Sequence, residues 1–414
     1  MIVASENKMH NISIYILCIY SCVFSQLYSM ELISPQLESF IPVLCFCCMF
    51  VAGKIEKNDS SAIWVLPLMI LASNLVLHFT FGLLRDFVLW MVGYLMIAGY
   101  CNLRTLEKAA RILYIVGGLY ALSVLLEYIF PDLYFKYYFP LFKGDYADVA
   151  YRMWTGSKNI ASGLSHQIGF TICYIVVGLG LLIFCHLKEN KMSKNIFLIA
   201  IFAIALILGK KRLHFAASLL SLGYVYICSS SNKNKSKKIV TMVTVIVVVL
   251  FLSLTLLENF GFSSVFDRYE ESMELRDSGD SLSASRDVLR AYALSLWLEH
   301  PIFGIGWNQF SQSGADFTTV HNVFIQLLCE TGIIGLICVI TPIVVVIKKT
   351  HNLVVKLRDV EYEHKGLLLF SLFYQLFFIM YFFTGNPLYD YPYLIPYFFS
   401  IVIFYRINKN YIYE

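Results

Sequence analysis

His321 and Asn322 open the apolar run HNVFIQLLCETGIIGL. At the head of a helix the positive end of the peptide dipole disfavours an imidazolium. A neutral His321 can accept a proton near neutral pH, which is what a general base must do. The same ring can instead serve as an interfacial helix cap. On a helix that starts near His321, residues 321, 325, 328, 332 and 335 share one face. Gly332 and Gly335 on that face remove bulk and admit another helix. Thr318 and Thr319 stand ready as caps just outside. Glu330 lies about 13 Å further along the axis, too far to touch His321. It reads as the partner of a buried donor from another span.

The cations form two groups. GKKRLH places Lys210, Lys211 and Arg212 in a tight turn between two apolar runs. They are read either as chains snorkelling to headgroups or as a site for an anionic ligand. In SASRDVLRAYALSLWLEHPIFGIGW the apolar residues recur at helical spacing, with Ser283 or Ser285 as cap and Pro301 as stop. Arg286 and Arg290 then share a helix face. They are read either as a solvated face paired with Asp287 or Glu299, or as a pair that grips an anion.

The elements that must position these groups are membrane helices. The chain has 414 residues, 58% hydrophobic and 14% charged, with a mean hydropathy of +0.67. That charge fraction is far below the roughly 25% of soluble domains. The apolar runs do not alternate, which argues against a barrel. The expected fold is all-α, a polytopic transmembrane bundle of about twelve spans. Their expected limits are 12–29, 32–53, 62–79, 84–101, 111–130, 160–187, 195–209, 213–229, 239–257, 321–347, 366–384 and 392–406. Residues 1–257 form an N-terminal bundle, 258–320 one long outer loop containing helix, and 321–414 a C-terminal group of spans. With the N-terminus inside, the inner loops are all basic-rich, which also puts the C-terminus inside. Of the outer loops, only GKKRLH departs from that pattern. The aromatic stretch Pro131 to Asn159 reads as an interfacial element along the membrane surface, with Arg152 as an expected substrate contact. The eleven cysteines show no metal spacing and read mostly as small buried hydrophobes. No cofactor, metal or nucleic-acid partner is expected. The first apolar run reads as a span, not a cleaved leader.

These patches together resemble the O-antigen polymerase and ligase superfamily of bacterial surface polysaccharide synthesis. The shared pattern is an arginine before an amphipathic helix, Pro–x–x–Gly–x–Gly, His-Asn, then Glu–x–Gly–x–x–Gly. It is met here by Arg286, Pro301, Gly304, Gly306, His321, Asn322, Glu330, Gly332 and Gly335. Arg212 resembles the family's other outer arginine, with Lys211 where a small hydroxyl residue is usual. TGSKNIASGL resembles the family's Gly…Asn segment. The resemblance implies a metal-independent glycosyltransferase at the outer face of the bacterial inner membrane. Its donor would be a glycan on undecaprenyl diphosphate. His321 would orient or deprotonate an acceptor hydroxyl. Arg212 and Arg286, with Arg290 and Lys211 behind them, would hold the diphosphate. Asn322 is an expected substrate contact; Glu330, Gly332 and Gly335 are structural. TGNPLYD, near the C-terminus, resembles polysaccharide polymerases, with Asn386 and Asp390 reaching sugar hydroxyls at the outer mouth. That favours a polymerase over a ligase that transfers to lipid A–core. A chain-length regulator is the implied protein partner. A lipid-linked oligosaccharide flippase is the reading from another class; it has no need of the long outer loop or a histidine-headed span.

Overall fold

The computed structural model describes residues 8–52, 61–155, 160–186, 192–230, 284–313 and 319–412. The expected span 239–257, the first part of the outer loop, Asn159 and Thr318 lie outside the described residues, as do the side chains of Arg152 and Arg286. Every extended element among the described residues is a helix. In chain order they are α1 (Lys8–Ser29), α2 (Pro35–Ala52), α3 (Val65–Leu77), α4 (Phe81–Ala98), α5 (Leu103–Ile129) and α6 (Gly144–Thr155). Then come α7 (Ile168–His186), α8 (Met192–Leu208), α9 (Arg212–Cys228), α10 (Ala284–Glu299), α11 (Val323–Lys356), α12 (Lys365–Tyr381) and α13 (Tyr391–Ile412).

Five of these, α1, α4, α5, α7 and α11, are long and apolar enough to cross a membrane by length and composition. Five further apolar helices are shorter. Several helices run beyond the expected spans into charged sequence. α5 begins at Leu103, because the Asn102 side chain caps the Thr105 N–H at 2.7 Å. Arg104 and Lys108, expected in a loop, are therefore helical. α11 runs on to Lys356 and α13 to Ile412. Apolar runs end at the first charge, whereas a helix continues while its charged chains reach back to water.

The reverse error occurs at residues 160–167, expected as the start of a span. They form an irregular loop that ends where α7 starts at Ile168. Its backbone is held by side chains: Gly163 N–H donates to Glu127 Oε2 at 2.5 Å, and Tyr138 Oη donates to the Leu164 carbonyl at 2.6 Å. His166 closes the loop inside a box of Phe142, Tyr146 and Phe170. Burial there lowers its pKa from 6.5 to about 4.

Glycine and aromatic contacts set the helix spacing. Gly117 of α5 faces Gly178 of α7, and a Cβ at Gly117 would lie 2.7 Å from the Gly178 Cα. Small residues let two backbones approach where lipid offers no hydrophobic drive. In the C-terminal core Phe378 of α12 stacks on Tyr397 of α13 at 4.0 Å and 9°. Contacts between distant segments sort to two ends. One end joins Glu38 to Tyr391, Asp86 to Trp307 and His214 to Tyr393. The other joins Arg406 to the Ile97 carbonyl and His364 to Glu107.

Candidate functional site

The site lies at the first of these ends, where α9, α11 and α13 begin and α12 finishes. Its framework is a break in α11. Gly332 has φ +64° and ψ −169°, which no continuing helix adopts. The segment Pro301–Gly306, after α10, docks into the break as an extra partner. Ile305 and Gly306 donate to the carbonyls of Cys329 and Glu330 at 3.0 and 2.8 Å. In return Ile333 donates to the Pro301 carbonyl at 3.1 Å. The approach is backbone on backbone: a Cβ on Gly332 would meet the Ile302 carbonyl oxygen at 2.2 Å, and one on Gly304 the Glu330 carbonyl carbon at 2.3 Å. Gly332 thus admits a loop, where a helix was expected. A Cβ on Gly335 would meet Thr331 of its own helix at 2.2 Å and not a neighbouring helix.

Glu330 locks the loop. Its fully buried carboxylate accepts the backbone N–H groups of Asn308 at 2.8 Å and Phe310 at 3.4 Å. It also accepts Gln326 Nε2 at 3.0 Å and Tyr389 Oη at 2.6 Å. The expected donor from another span is instead this set from a loop, the helix itself and the turn 382–390. Trp307, also fully buried, stacks on Tyr389 at 4.7 Å. Its backbone N–H donates to Asn74 at 2.8 Å and its indole N–H to Asp86 at 3.2 Å. Asp86 is paired with Arg85 at 3.0 Å. Asn74 and Asp86 therefore anchor the loop to α3 and α4.

His321 lies just before the head of α11. It is half-buried and has φ +54°, the left-handed region that costs a non-glycine residue about 1–2 kcal/mol. Asn322, not a threonine, is the helix cap: its side chain accepts from Ile325 N at 3.1 Å. Val323 N donates to the Phe382 carbonyl at 2.9 Å, so the head of α11 is stitched to the end of α12. The helix proper starts at Val323, which leaves His321 outside it on a bent backbone. α10 covers this head through a small core of Leu289, Ala293, Phe310, Val320 and Cys329. Half-buried Arg290 is next in sequence to Leu289, and Val320 immediately precedes His321. α10 begins at Ala284, so Ser285 is in its first turn and not its cap.

The second cationic group opens α9. Lys211 is its N-cap residue and Arg212 its first, exposed residue, with no acidic side chain in the first turn. Lys210 before them has φ +49°. Arginine and lysine at a helix N-terminus add to the positive dipole end, an arrangement that favours a bound anion. His214 ties this head to the rest. Its Nε2 is 3.2 Å from Tyr393 Oη, and its ring lies 4.2 Å from that of Tyr381, the last residue of α12. Tyr393 in turn donates to the Gly169 carbonyl at 2.6 Å.

The turn 382–390 joins Glu330 to the head of α11, and Tyr381 and Tyr393 on either side of it reach His214. Asn386 is buried and donates to Gln326, and its Oδ1 has no partner among the described residues. Asp390 is half-buried, its carboxyl raised to about 7 mainly by burial, against the pull of Arg85. Trp307, Tyr389, Gln326 and His214 went unrecognised in the sequence. Their available signals were an indole directly after Gly–x–Gly, a tyrosine in the polar turn, a glutamine one turn before Glu330, and a histidine two residues from Arg212. Residues 196–340 match the model of a family described as O-antigen ligase. No curated protein matches the chain.

Proposed function

Proceeding from the match of residues 196–340 to the family described as O-antigen ligase, we propose that this protein is a surface-polysaccharide polymerase. It joins undecaprenyl-diphosphate-linked repeat units by glycosyl transfer at the outer face of the bacterial inner membrane. In the step, an acceptor sugar hydroxyl gives its proton to His321. Its oxygen forms a bond to the donor's anomeric carbon, and the carbon–oxygen bond to the diphosphate breaks. The electron pair leaves with the lipid diphosphate. Permanently charged guanidinium groups neutralise that leaving group with paired donors. Arg212, Arg286 and Arg290 take this role with Lys211, so the step calls for no metal. The fold is of the GT-C kind, both termini are cytoplasmic, and a chain-length regulator acts beside it. Arg152 and Asp390 contact the glycan.

The observation that carries this reading is the pairing at one end. A histidine is held in left-handed conformation at the head of α11, and a cationic helix start lies at the head of α9. A strained conformation needs surroundings that over-determine it, and such residues gather at functional sites. The family description, O-antigen ligase, favours a second reading, transfer of finished polymer to lipid A–core.

One comparison separates them: lipid-linked glycans and surface polymer in cells carrying wild type or His321→Ala at equal expression. Single repeats without long chains are the expected result and identify a polymerase. Long chains that accumulate on the carrier lipid identify a ligase. Normal polymer in the variant removes His321 from the chemistry.

A further inference from the structure

The end of the bundle away from His321 holds a cavity that no step above uses. It has a volume of about 390 Å³ and lies between α5, α7 and the start of α12. Glu107, Lys108 and Arg111 line it from α5, His186 from α7, and Glu363 and His364 from the approach to α12. Lys108, Arg111 and Glu363 are exposed, so the cavity is open at its rim. Gly366 holds α12 against α7, because a Cβ there would collide with the Phe184 carbonyl. His364 Nδ1 is 3.0 Å from Glu107 Oε1, which ties α5 to the head of α12. His186 lies against Tyr114 at 4.5 Å, and its Nε2 is enclosed without a hydrogen-bond partner among the described residues. Lys108 and Arg111 likewise make no ion pair or hydrogen bond among the described residues. Beyond Arg111, α5 carries an apolar stripe. Ile115, Leu119, Leu122 and Leu126 follow at three- and four-residue spacing, which keeps them on the Arg111 face. They are 44% to 57% exposed.

The charges limit what can enter. A plain anion would meet Glu107 and Glu363, and a plain cation would meet Lys108 and Arg111. A zwitterion that carries a phosphate and an ammonium a few atoms apart answers both signs. Phosphate suits Arg111, whose guanidinium can give it two parallel donors. Lys108 and His186 Nε2 supply further donors beside it, and the carboxylates suit the ammonium. The stripe on α5 gives the source of the ligand. A headgroup seated at Arg111 lays its acyl chains along that stripe, in the manner of basic pockets between membrane helices that hold lipid headgroups. We propose that this cavity binds the phosphoethanolamine headgroup of a membrane phospholipid, with its phosphate on Lys108, Arg111 and His186 and its ammonium on Glu107 and Glu363. The site is separate from the reaction proposed above and does not depend on it.

The full-length protein, delipidated in detergent, is titrated with three probes: phosphatidylethanolamine, phosphatidylglycerol and free phosphoethanolamine. Native mass spectrometry counts the molecules bound. Phosphatidylethanolamine is expected to bind about tenfold more tightly than either of the others, the size of one charge-assisted hydrogen bond. Arg111→Ala and Lys108→Ala should each weaken it by about three- to tenfold. Both side chains are exposed, so alanine at either position leaves the packing intact. His186→Phe, which keeps a ring against Tyr114 and removes Nε2, should weaken it likewise. Arg104→Ala, on the same helix but outside the cavity lining, should bind as wild type. Equal binding of phosphatidylglycerol would overturn the zwitterion, and equal binding of free phosphoethanolamine would overturn a lipid as its source. Wild-type binding by both Arg111→Ala and Lys108→Ala, or an equal loss in Arg104→Ala, would overturn the site itself.

Discussion

At the residue scale, Glu330 holds together the surroundings of His321. It takes four donors from three parts of the chain: the loop after α10, α11 itself and the turn before α13. Glu330→Ala leaves those donors buried without an acceptor, which costs about 1–3 kcal/mol for each group left unsatisfied. The expected outcome is a clearly lower melting temperature in detergent together with loss of polymer. Glu330→Gln, which keeps the shape but turns an amide N–H toward one of the donors, should fall between. A variant that melts like wild type would separate Glu330 from loop docking. The sequence identified Glu330 as structural but not its donors. Two of them are backbone N–H groups, which carry no side-chain signature. His321 was legible as a residue type; its left-handed backbone was not, because that conformation is imposed by the Asn322 cap and the Phe382 carbonyl on the next residues.

At the scale of elements, the decisive feature is the interruption of α11. The Glu–x–Gly–x–x–Gly spacing marks both glycines as special. Hydropathy, however, reads straight through them, since a broken helix and a whole one have the same composition. Only the loop around Pro301 shows why Gly332 is needed. Gly332→Ala combines a backbone conformation that L residues avoid, worth about 1–3 kcal/mol, with a clash against the Ile302 carbonyl. Gly304→Ala meets the same obstacle from the loop side. Both should give low yields of folded protein on size-exclusion chromatography. Gly118→Ala, where the nearest atom is Phe202 at 3.9 Å, should behave as wild type.

At the scale of the whole molecule, the all-helical architecture follows from composition, and most helices lie where the apolar runs place them. Their ends do not, because helices such as α5 and α11 extend into charged sequence. The loop 160–167 escaped notice because its irregular backbone is satisfied by Glu127, Ser123 and Tyr138, all on other segments. The two ends of the bundle give a test of orientation. Tyr137 is 64% exposed beside the His321 end, and the Glu363 side chain is 84% exposed at the other. With N- and C-termini inside, Tyr137→Cys reacts with a membrane-impermeant maleimide added to whole cells whose outer membrane is permeabilised. Glu363→Cys reacts only after lysis. Labelling of both from one side would overturn the span assignment. The docked loop also has a consequence for biogenesis. Before it arrives, the 329–334 stretch of α11 can satisfy its own backbone only as an unbroken helix, the one form that hydrocarbon tolerates. The functional, broken form therefore follows insertion. It awaits the docking of the loop as a final closing step, and only then is the head of α11 set in place.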